Sequence, residues 1–251
     1  MSATTRRTAV VSGGGTGIGA AAAAVLVASG VEVLLTGRRL DRLEATATSL
    51  LTTTPGAVVH VVTADLTEAA GATTVREAAR ELLGEVDIVV ANAGSPAPPA
   101  GDDLESLAES WLGTFRANTL TAVLLVAALD PLLRSPGGRV VVIGSAASSR
   151  GNSTGSYAAA KAALEAWVRR EANTLGPRGI TVNVVAPGYT AGTELVAGRI
   201  SPERHERLVA SVSLGRAAVP DEIAALIGFL ASPESSYITG QTILADGGLR
   251  V

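Results

Sequence analysis

The residues best suited to chemistry lie between Ser145 and Lys161, in the run SAASSRGNSTGSYAAAK. Lys161 is the only lysine among 20 basic residues, and the others are all arginine. A lysine ammonium is a compact point charge, unlike the planar, permanently charged guanidinium. Tyr157 precedes Lys161 by four residues, which on a helix puts both side chains on one face. The pair predicts a phenol that acts as an acid or base, its pKa lowered by the neighbouring cation.

A glycine-rich run, GGGTGIG at 13–19, is suited to binding phosphate groups. It follows a short apolar run and precedes a helical pattern, so backbone amides and a helix N-terminus can hold a pyrophosphate there. The spacing of Gly13, Gly17 and Gly19 differs from the usual GxGxxG, and no lysine follows as in a Walker loop. Alone, such a run also suits a flexible turn. Together with Tyr157 and Lys161 it indicates a dinucleotide site.

The elements that must position these residues alternate between strands and helices. Strands are predicted at 8–12, 31–36, 58–63, 86–91, 139–144, 180–185 and 241–245. Helices are predicted at 20–28, 41–51, after 65 up to 83, 102–129, 157–175 and 222–230, with an amphipathic piece at 202–212. This alternation predicts an α/β fold, a doubly wound parallel sheet of seven strands in a single domain over 1–251. The irregular stretch 189–215 is predicted to be a substrate lid.

Composition narrows the class of partner. The net charge is −3 without a basic run, so nucleic acid is not expected. The absence of cysteine excludes disulfides and thiolate metal sites and fits a cytoplasmic protein, and the distant His60 and His205 predict no metal site. Arg6 and Arg7 superficially resemble a twin-arginine signal, but the glycine run interrupts the apolar segment behind them. No uninterrupted apolar run reaches 18 residues, so no membrane helix is expected.

Several motifs together resemble the short-chain dehydrogenase/reductase family, in its compact single-domain form. The matching elements are GGGTGIG at 13–19, Asp65, ANAG at 91–94, Asn118, Ser145, YAAAK at 157–161, PG at 187–188 and DGG at 246–248. They cover nearly the whole chain in the family's order. The resemblance implies a sheet ordered 3-2-1-4-5-6-7 and the transfer of a hydride between a nicotinamide cofactor and a small ketone or secondary alcohol.

The resemblance also implies residue roles. Tyr157 would protonate the forming alkoxide, and Ser145 would hydrogen-bond the substrate oxygen. Lys161 would bind the nicotinamide ribose and lower the pKa of Tyr157, and Asn118 would hold a water that links Lys161 to solvent. Asp65 would hydrogen-bond the adenine amino group. The remaining expected cofactor contacts are Gly13, Gly15, Thr16, Gly17, Ile18, Gly19, Leu66, Asn92, Ala93, Gly94, Pro187, Gly188 and Thr193.

Two departures from the family pattern leave alternatives open. The interval from Ser145 to Tyr157 is one residue shorter than usual, which makes Ser148 and Ser149 rivals for the serine role. Ser145 is favoured because it directly follows a predicted strand that can hold it rigidly. After the PG pair the usual threonine position holds glycine, and Thr193 comes one residue later. An insertion of one residue explains this better than a lost contact.

The choice of cofactor depends on the end of the second strand. An NAD enzyme needs a carboxylate there for the ribose 2′-hydroxyl. That position is Gly37, with Arg38 and Arg39 following, whereas Glu32 lies at the start of the strand. Two guanidiniums without a carboxylate fit a 2′-phosphate and predict NADP(H). The alternative is NAD(H), with Arg38 and Arg39 beginning a solvated helix.

The substrate is less constrained. Segments 214–224 and 240–248 resemble 3-oxoacyl-carrier-protein reductases, but they are widely shared in the family. A small-ketone reductase, an NAD-dependent alcohol dehydrogenase and a non-catalytic nucleotide-binding protein are the alternatives. Specificity is expected to lie in the loop 95–101 and in the lid 189–215. A homo-oligomer, tetramer or dimer, is also expected, with Trp111 and Trp167 at its interface.

Overall fold

The computed structural model describes residues 6–96, 101–150, 153–194, 196, 198 and 200–249. Within these residues seven parallel strands form one sheet in the order β3-β2-β1-β4-β5-β6-β7, as predicted. The strands are β1 (Thr8–Ser12), β2 (Glu32–Gly37), β3 (Val59–Thr63), β4 (Ile88–Ala91), β5 (Arg139–Ile143), β6 (Thr181–Pro187) and β7 (Thr242–Ala245). The central strands are buried throughout because helices cover both faces of the sheet.

The helices form two layers, each with its own apolar core. They are α1 (Gly17–Ala28), α2 (Leu40–Thr53), α3 (Ala69–Leu82), α4 (Leu104–Phe115), α5 (Thr121–Leu129), α6 (Ala147–Arg150), α7 (Gly155–Leu175), α8 (Pro202–Ala210) and α9 (Pro220–Ala231). Side chains of α1, α2 and α9 pack on one face of the sheet, and those of α3, α5 and α7 on the other. Right-handed βαβ crossovers require this arrangement on both faces.

Most predicted boundaries lie within a few residues of the observed ones, with two differences of substance. The helix predicted at 102–129 consists of α4, a π-helical turn at Arg116–Leu120, and α5. The short helix α6 after β5 was not predicted. A four-residue helix is too short to show an apolar period in the sequence.

One helical segment of the described chain, Leu104–Leu132, is long and apolar enough to cross a membrane by length and composition, with a mean hydropathy of 1.5. It contains α4, the π-turn and α5. Leu125 and Leu129 of its second half belong to the core under the sheet. A buried core helix passes the same test of length and hydropathy, and this accounts for α5, whereas several apolar side chains of α4 are exposed.

The carboxyl ends of the strands create the place for a site. β1 pairs with β2 on one side and with β4 on the other, so the strand order reverses at β1. In open parallel sheets, ligands bind in the crevice at such a reversal. Two isolated β-bridges connect the predicted lid to residues outside it. One joins Thr190 to Ala218, and the other joins Val212 to Leu249. Four positions of the predicted loop (97–100) and three of the lid (195, 197 and 199) lie outside the described residues.

Candidate active site

A cleft of about 740 Å³ runs along the carboxyl ends of the strands. Pockets of this size hold cofactors and drug-sized ligands. Of the residues predicted to bind cofactor or substrate, all except Gly19 line it: Gly13, Gly15, Thr16, Gly17, Ile18, Arg38, Arg39, Asp65, Leu66, Asn92, Ala93, Gly94, Asn118, Ser145, Tyr157, Lys161, Pro187, Gly188 and Thr193. The fold therefore brings together residues from almost the full length of the chain.

The glycine turn between β1 and α1 needs its glycines. Gly13 and Gly17 have φ of +62° and +55°, in the left-handed region that favours glycine. Gly19 lies beneath the turn, where an added Cβ would come within 2.2 Å of the Gly13 carbonyl oxygen. The turn leads directly into the N-terminus of α1, whose backbone amides and dipole favour an anion. These features fit a pyrophosphate.

Ser12 anchors this turn to the end of β4. Its hydroxyl accepts hydrogen bonds from the backbone N–H groups of Asn92 and Ala93, each at 3.0 Å. In return, the Asn92 amide donates to the carbonyl oxygens of Ser12 at 3.0 Å and Gly13 at 3.2 Å. The sequence analysis missed Ser12. Its only signal there is that a polar residue ends an apolar strand.

Ser145 and Tyr157 both line the cleft, where their hydroxyls are close enough to interact. Ser145 lies two residues after the end of β5, and its Oγ accepts the N–H of Ala147 at 3.2 Å. Tyr157 lies on the first turn of α7. Burial raises the pKa of Tyr157, and the hydrogen bond with Ser145 offsets part of that rise. At neutral pH the phenol is therefore protonated.

The two rival serines are engaged elsewhere. Ser148 Oγ lies 2.6 Å from the Ser145 carbonyl oxygen and 2.5 Å from Glu165 Oε1, and its one proton is donated to one of these two oxygens. Ser149 Oγ donates to the Ala146 carbonyl oxygen at 3.4 Å. The serine beside Tyr157 is thus Ser145, as the sequence analysis favoured.

Lys161 is fully buried one helical turn after Tyr157. Its Nζ donates to the Ile143 carbonyl oxygen at 2.8 Å and lies 6.0 Å from the centroid of the Tyr157 ring. Burial lowers the pKa of Lys161 from 10.5 to about 8. The prediction that this ammonium lowers the pKa of Tyr157 is wrong for this geometry, because burial raises that pKa and Ser145, not Lys161, is the group that opposes the rise.

Asn118 lies in the π-helical turn, a distortion that is frequent at functional sites. Its Nδ2 donates to the carbonyl oxygens of Ser95 at 2.8 Å and Thr114 at 3.0 Å, and its Oδ1 accepts the Ser95 N–H at 3.3 Å. A Cβ on Gly94 would lie 2.8 Å from Asn118 Oδ1 and 3.6 Å from Lys161 Nζ. Because Gly94 has no side chain, the Asn118 amide and the Lys161 ammonium can both lie close to its backbone.

The end of β2 carries the basic part of the cleft. Arg38, Arg39 and Arg42 all line it. Arg39 Nη2 forms an ion pair with Glu194 Oε2 at 2.5 Å, across the cleft from the lid. Glu32 lies at the other end of the strand. As expected, no carboxylate directly follows β2. The lid nevertheless supplies one to this part of the cleft, that of Glu194.

Asp65, at the adenine end predicted from the sequence, is held by its own loop. Its Oδ1 accepts the backbone N–H of Thr67 at 3.0 Å and the Thr67 hydroxyl at 2.7 Å. These hydrogen bonds, more than the charge of Arg38, lower the pKa of Asp65. The carboxylate is thus ionised and fixed at the rim of the cleft.

The first residues of the lid include Thr193, which lies one residue later in the sequence than the family's usual threonine. Gly192 has φ of +75°, a conformation suited to glycine. Thr193 reaches the glycine turn, where a Cβ on Gly17 would lie 3.4 Å from Thr193 Cγ2. Its hydroxyl donates to the Thr190 carbonyl oxygen at 3.2 Å. This geometry agrees with an insertion of one residue.

Comparison with known proteins agrees with this geometry. A family model described as enoyl-(acyl carrier protein) reductase matches residues 13–250. The 3-oxoacyl-acyl-carrier-protein reductase FabG of Escherichia coli K12 is 35% identical over 245 residues, covering 96% of each chain. The chain belongs to the short-chain dehydrogenase/reductase family. The oxidoreductases of this family use nicotinamide cofactors, so the predicted enzyme class is confirmed.

Two solved structures that resemble this short-chain dehydrogenase/reductase contain a phosphorylated nicotinamide cofactor. A blue fluorescent protein from a metagenomic library, in complex with NADPH, is 33% identical with a TM-score of 0.86, over 96% of this chain and 97% of that one. The Pseudomonas aeruginosa RhlG/NADP active-site complex is 33% identical with a TM-score of 0.87, over 96% and 95%. Both agree with the cofactor predicted from the arginines after β2.

Besides Ser12, the sequence analysis of this short-chain dehydrogenase/reductase missed three charged residues of the cleft. Arg42 and Glu194 lie at its basic end, and Arg204 of α8 lines the lid side. Arg42 lies four residues after Arg38, near the start of α2, and this spacing is a signal in the sequence that could have identified it. Glu194 and Arg204 had no signal, because no motif relates them to the residues they approach.

Proposed function

We propose that the protein is an NADP(H)-dependent oxidoreductase acting on a ketone or secondary alcohol, with Tyr157 as its general acid and base. The neighbouring hydroxyls of Ser145 and Tyr157, with buried Lys161 one helical turn after Tyr157 in the same cleft, carry this proposal. A hydroxyl that orients and a phenol that holds a proton are the groups that carbonyl reduction needs. A 3-oxoacyl thioester or a small ketone is the proposed substrate.

Ser145, Tyr157, Lys161 and Asn118 would each have a separate role in binding the substrate oxygen or transferring its proton. When bound, the nicotinamide supplies or accepts the hydride. The Ser145 hydroxyl hydrogen-bonds the substrate oxygen, and Tyr157 gives its proton to that oxygen during reduction. The raised pKa of Tyr157 keeps the phenol protonated for this step. Lys161, with Asn118 holding a water that links it to solvent, would return a proton to Tyr157.

The cofactor would be held by the residues that line the cleft. The glycine turn and the N-terminus of α1 fit the pyrophosphate, and Asp65 fits the adenine amino group. Lys161 would hydrogen-bond the nicotinamide ribose. Arg38 and Arg39 would hold the 2′-phosphate, and the NADPH- and NADP-bound relatives support that choice over NAD(H).

Cofactor binding tests the proposal without a substrate. NADPH and NADH are titrated separately and followed by nicotinamide fluorescence. We expect clear preference for NADPH, which Arg38→Ala abolishes and Arg169→Ala, an exposed arginine on α7, leaves unchanged. Equal or tighter NADH binding would contradict the assignment of the arginines, and binding of neither would favour a non-catalytic role.

We also propose that the protein acts in the cytoplasm as a homo-oligomer. The absence of cysteine and the similarity to FabG support the location. A row of half-exposed or exposed apolar side chains on α4 supports self-association.

A further inference from the structure

An acidic side chain of the lid lies in the basic part of the cleft. Glu194 follows Thr193, and its carboxylate pairs with Arg39 at 2.5 Å. About half of each side chain is exposed. Arg39 follows β2, so this contact joins two segments that are 155 positions apart in the chain.

The surroundings of Glu194 are those of a bound anion. The hydrogen bond from Arg39 is the largest cause that lowers the pKa of Glu194, and the charge of Arg42 and a hydrogen bond with Thr16 act in the same direction. Thr16 immediately precedes α1, where the helix dipole also favours negative charge. Guanidinium groups bind carboxylates and phosphates with the same N–H donors. The carboxylate therefore uses donors that a phosphate would use.

We propose that Glu194 is a selectivity residue of the cofactor site, an internal anion that competes with the 2′-phosphate of NADPH for Arg39. This inference rests on the proposed function, in which the arginines after β2 bind that phosphate. NADH lacks the phosphate, so its binding leaves the pair of Arg39 and Glu194 intact. Glu194 thus weakens the preference for NADPH, and NADPH binding separates the Glu194 carboxylate from Arg39.

Charge repulsion makes this competition unavoidable. A phosphate close to Arg39 would place its charge within a few ångströms of the Glu194 carboxylate, where like charges repel. The pair must open, or the phosphate binds more weakly. Since both side chains are half-exposed, solvent screening limits the effect to a modest change in affinity.

The test compares two carboxylates of the lid region. Glu194→Gln removes the charge at the site, and Glu206→Gln removes an exposed charge on α8 for which the described residues show no ion pair. NADPH and NADH are titrated by nicotinamide fluorescence, and adenosine 2′-monophosphate by calorimetry. We expect Glu194→Gln to tighten binding of NADPH and of adenosine 2′-monophosphate by about three- to tenfold at low salt. NADH binding should change less than twofold, and Glu206→Gln should change none of these.

The outcomes separate this inference from the proposed function. If Glu194→Gln leaves NADPH binding unchanged or weaker, while the wild type prefers NADPH and Arg38→Ala removes that preference, only the role of Glu194 is refuted. If the wild type shows no preference that depends on Arg38, the phosphate assignment itself fails. A melting temperature equal to that of the wild type confirms that Glu194→Gln is folded.

Discussion

Tyr157 is subject to two opposing influences on its pKa. Burial raises the pKa, and the hydrogen bond with Ser145 lowers it, with burial the larger cause. A phenol that stays protonated at neutral pH is suited to donate a proton to a carbonyl oxygen.

Removing that proton should abolish most of the activity. Tyr157→Phe keeps the ring and loses only the hydroxyl, so we expect kcat for ketone reduction to fall by about 100-fold or more, with NADPH affinity within twofold of the wild type. Steady-state kinetics and cofactor titration measure both. Tyr237→Phe, at a fully exposed tyrosine, is the control. Full activity of Tyr157→Phe on every accepted ketone would refute the proposed acid.

Burial of Lys161 makes the free energy of unfolding depend on pH. Folding lowers its pKa from 10.5 to about 8, so between these values the unfolded chain binds more protons than the folded one. Stability contributed by this group therefore rises with pH in that window, and the cost of the buried ammonium is fully present below about pH 8.

Lys161→Met removes this dependence. From about pH 7 to about pH 9.5, the free energy of unfolding of the wild type should rise by about 2 kcal/mol relative to that of the variant. Urea denaturation of both proteins at several pH values measures the difference. Parallel pH dependences of the two proteins would show that Lys161 is not buried as an ammonium.

At the scale of elements, the turn from β1 into α1 depends on close backbone approach. Gly19→Ala would place a Cβ within 2.2 Å of the Gly13 carbonyl oxygen, so the turn must shift. We expect at least tenfold weaker NADPH binding and a loss of about 1–3 kcal/mol of stability, measured by cofactor titration and urea denaturation.

The matched control for that substitution is Gly176→Ala. Gly176 has a helical backbone, with φ of −54°, and nothing lies within 4 Å of an added Cβ. This alanine should leave cofactor binding unchanged and cause at most a small loss of stability, because Pro177 disfavours a helical backbone at a preceding residue that has a Cβ. If Gly19→Ala and Gly176→Ala changed NADPH binding and stability equally, the proposed requirement for glycine in the turn would be refuted.

At the scale of the whole molecule, α4 carries an apolar surface that the described chain does not cover. Its members are Leu104, Leu107, Trp111, Leu112 and Phe115, with exposed fractions from 41% to 78%. Trp167, predicted for the same interface, is partly buried against the core, and its place in an interface remains a prediction. Contiguous apolar patches of this kind mark association sites.

Self-association can be measured directly. Light scattering after size-exclusion chromatography should give a mass above that of one chain for the wild type. Leu112→Glu should lower that mass, because a carboxylate would have to be buried in the interface. Leu51→Glu, at a half-exposed leucine on α2, should not. A monomeric wild type would contradict the proposed oligomer.

The sequence by itself determined the fold class, the strand order through the family resemblance, and which residues meet in the cleft, apart from a few. Apolar runs and glycine turns are local patterns, and Tyr157 and Lys161 share a helix, so their proximity follows from their spacing. The choice of Ser145 over its neighbours also followed from its place after a strand.

Only the tertiary structure decided the contacts and energies between distant segments. Ser12 joins β1 to β4, and Glu194 reaches Arg39 from the lid, although no local period relates either pair. The direction of the Tyr157 pKa shift was also decided there. Helical spacing puts Lys161 one turn after the phenol, but burial of the phenol depends on every element packed around it, and burial is the largest cause of the shift in its pKa.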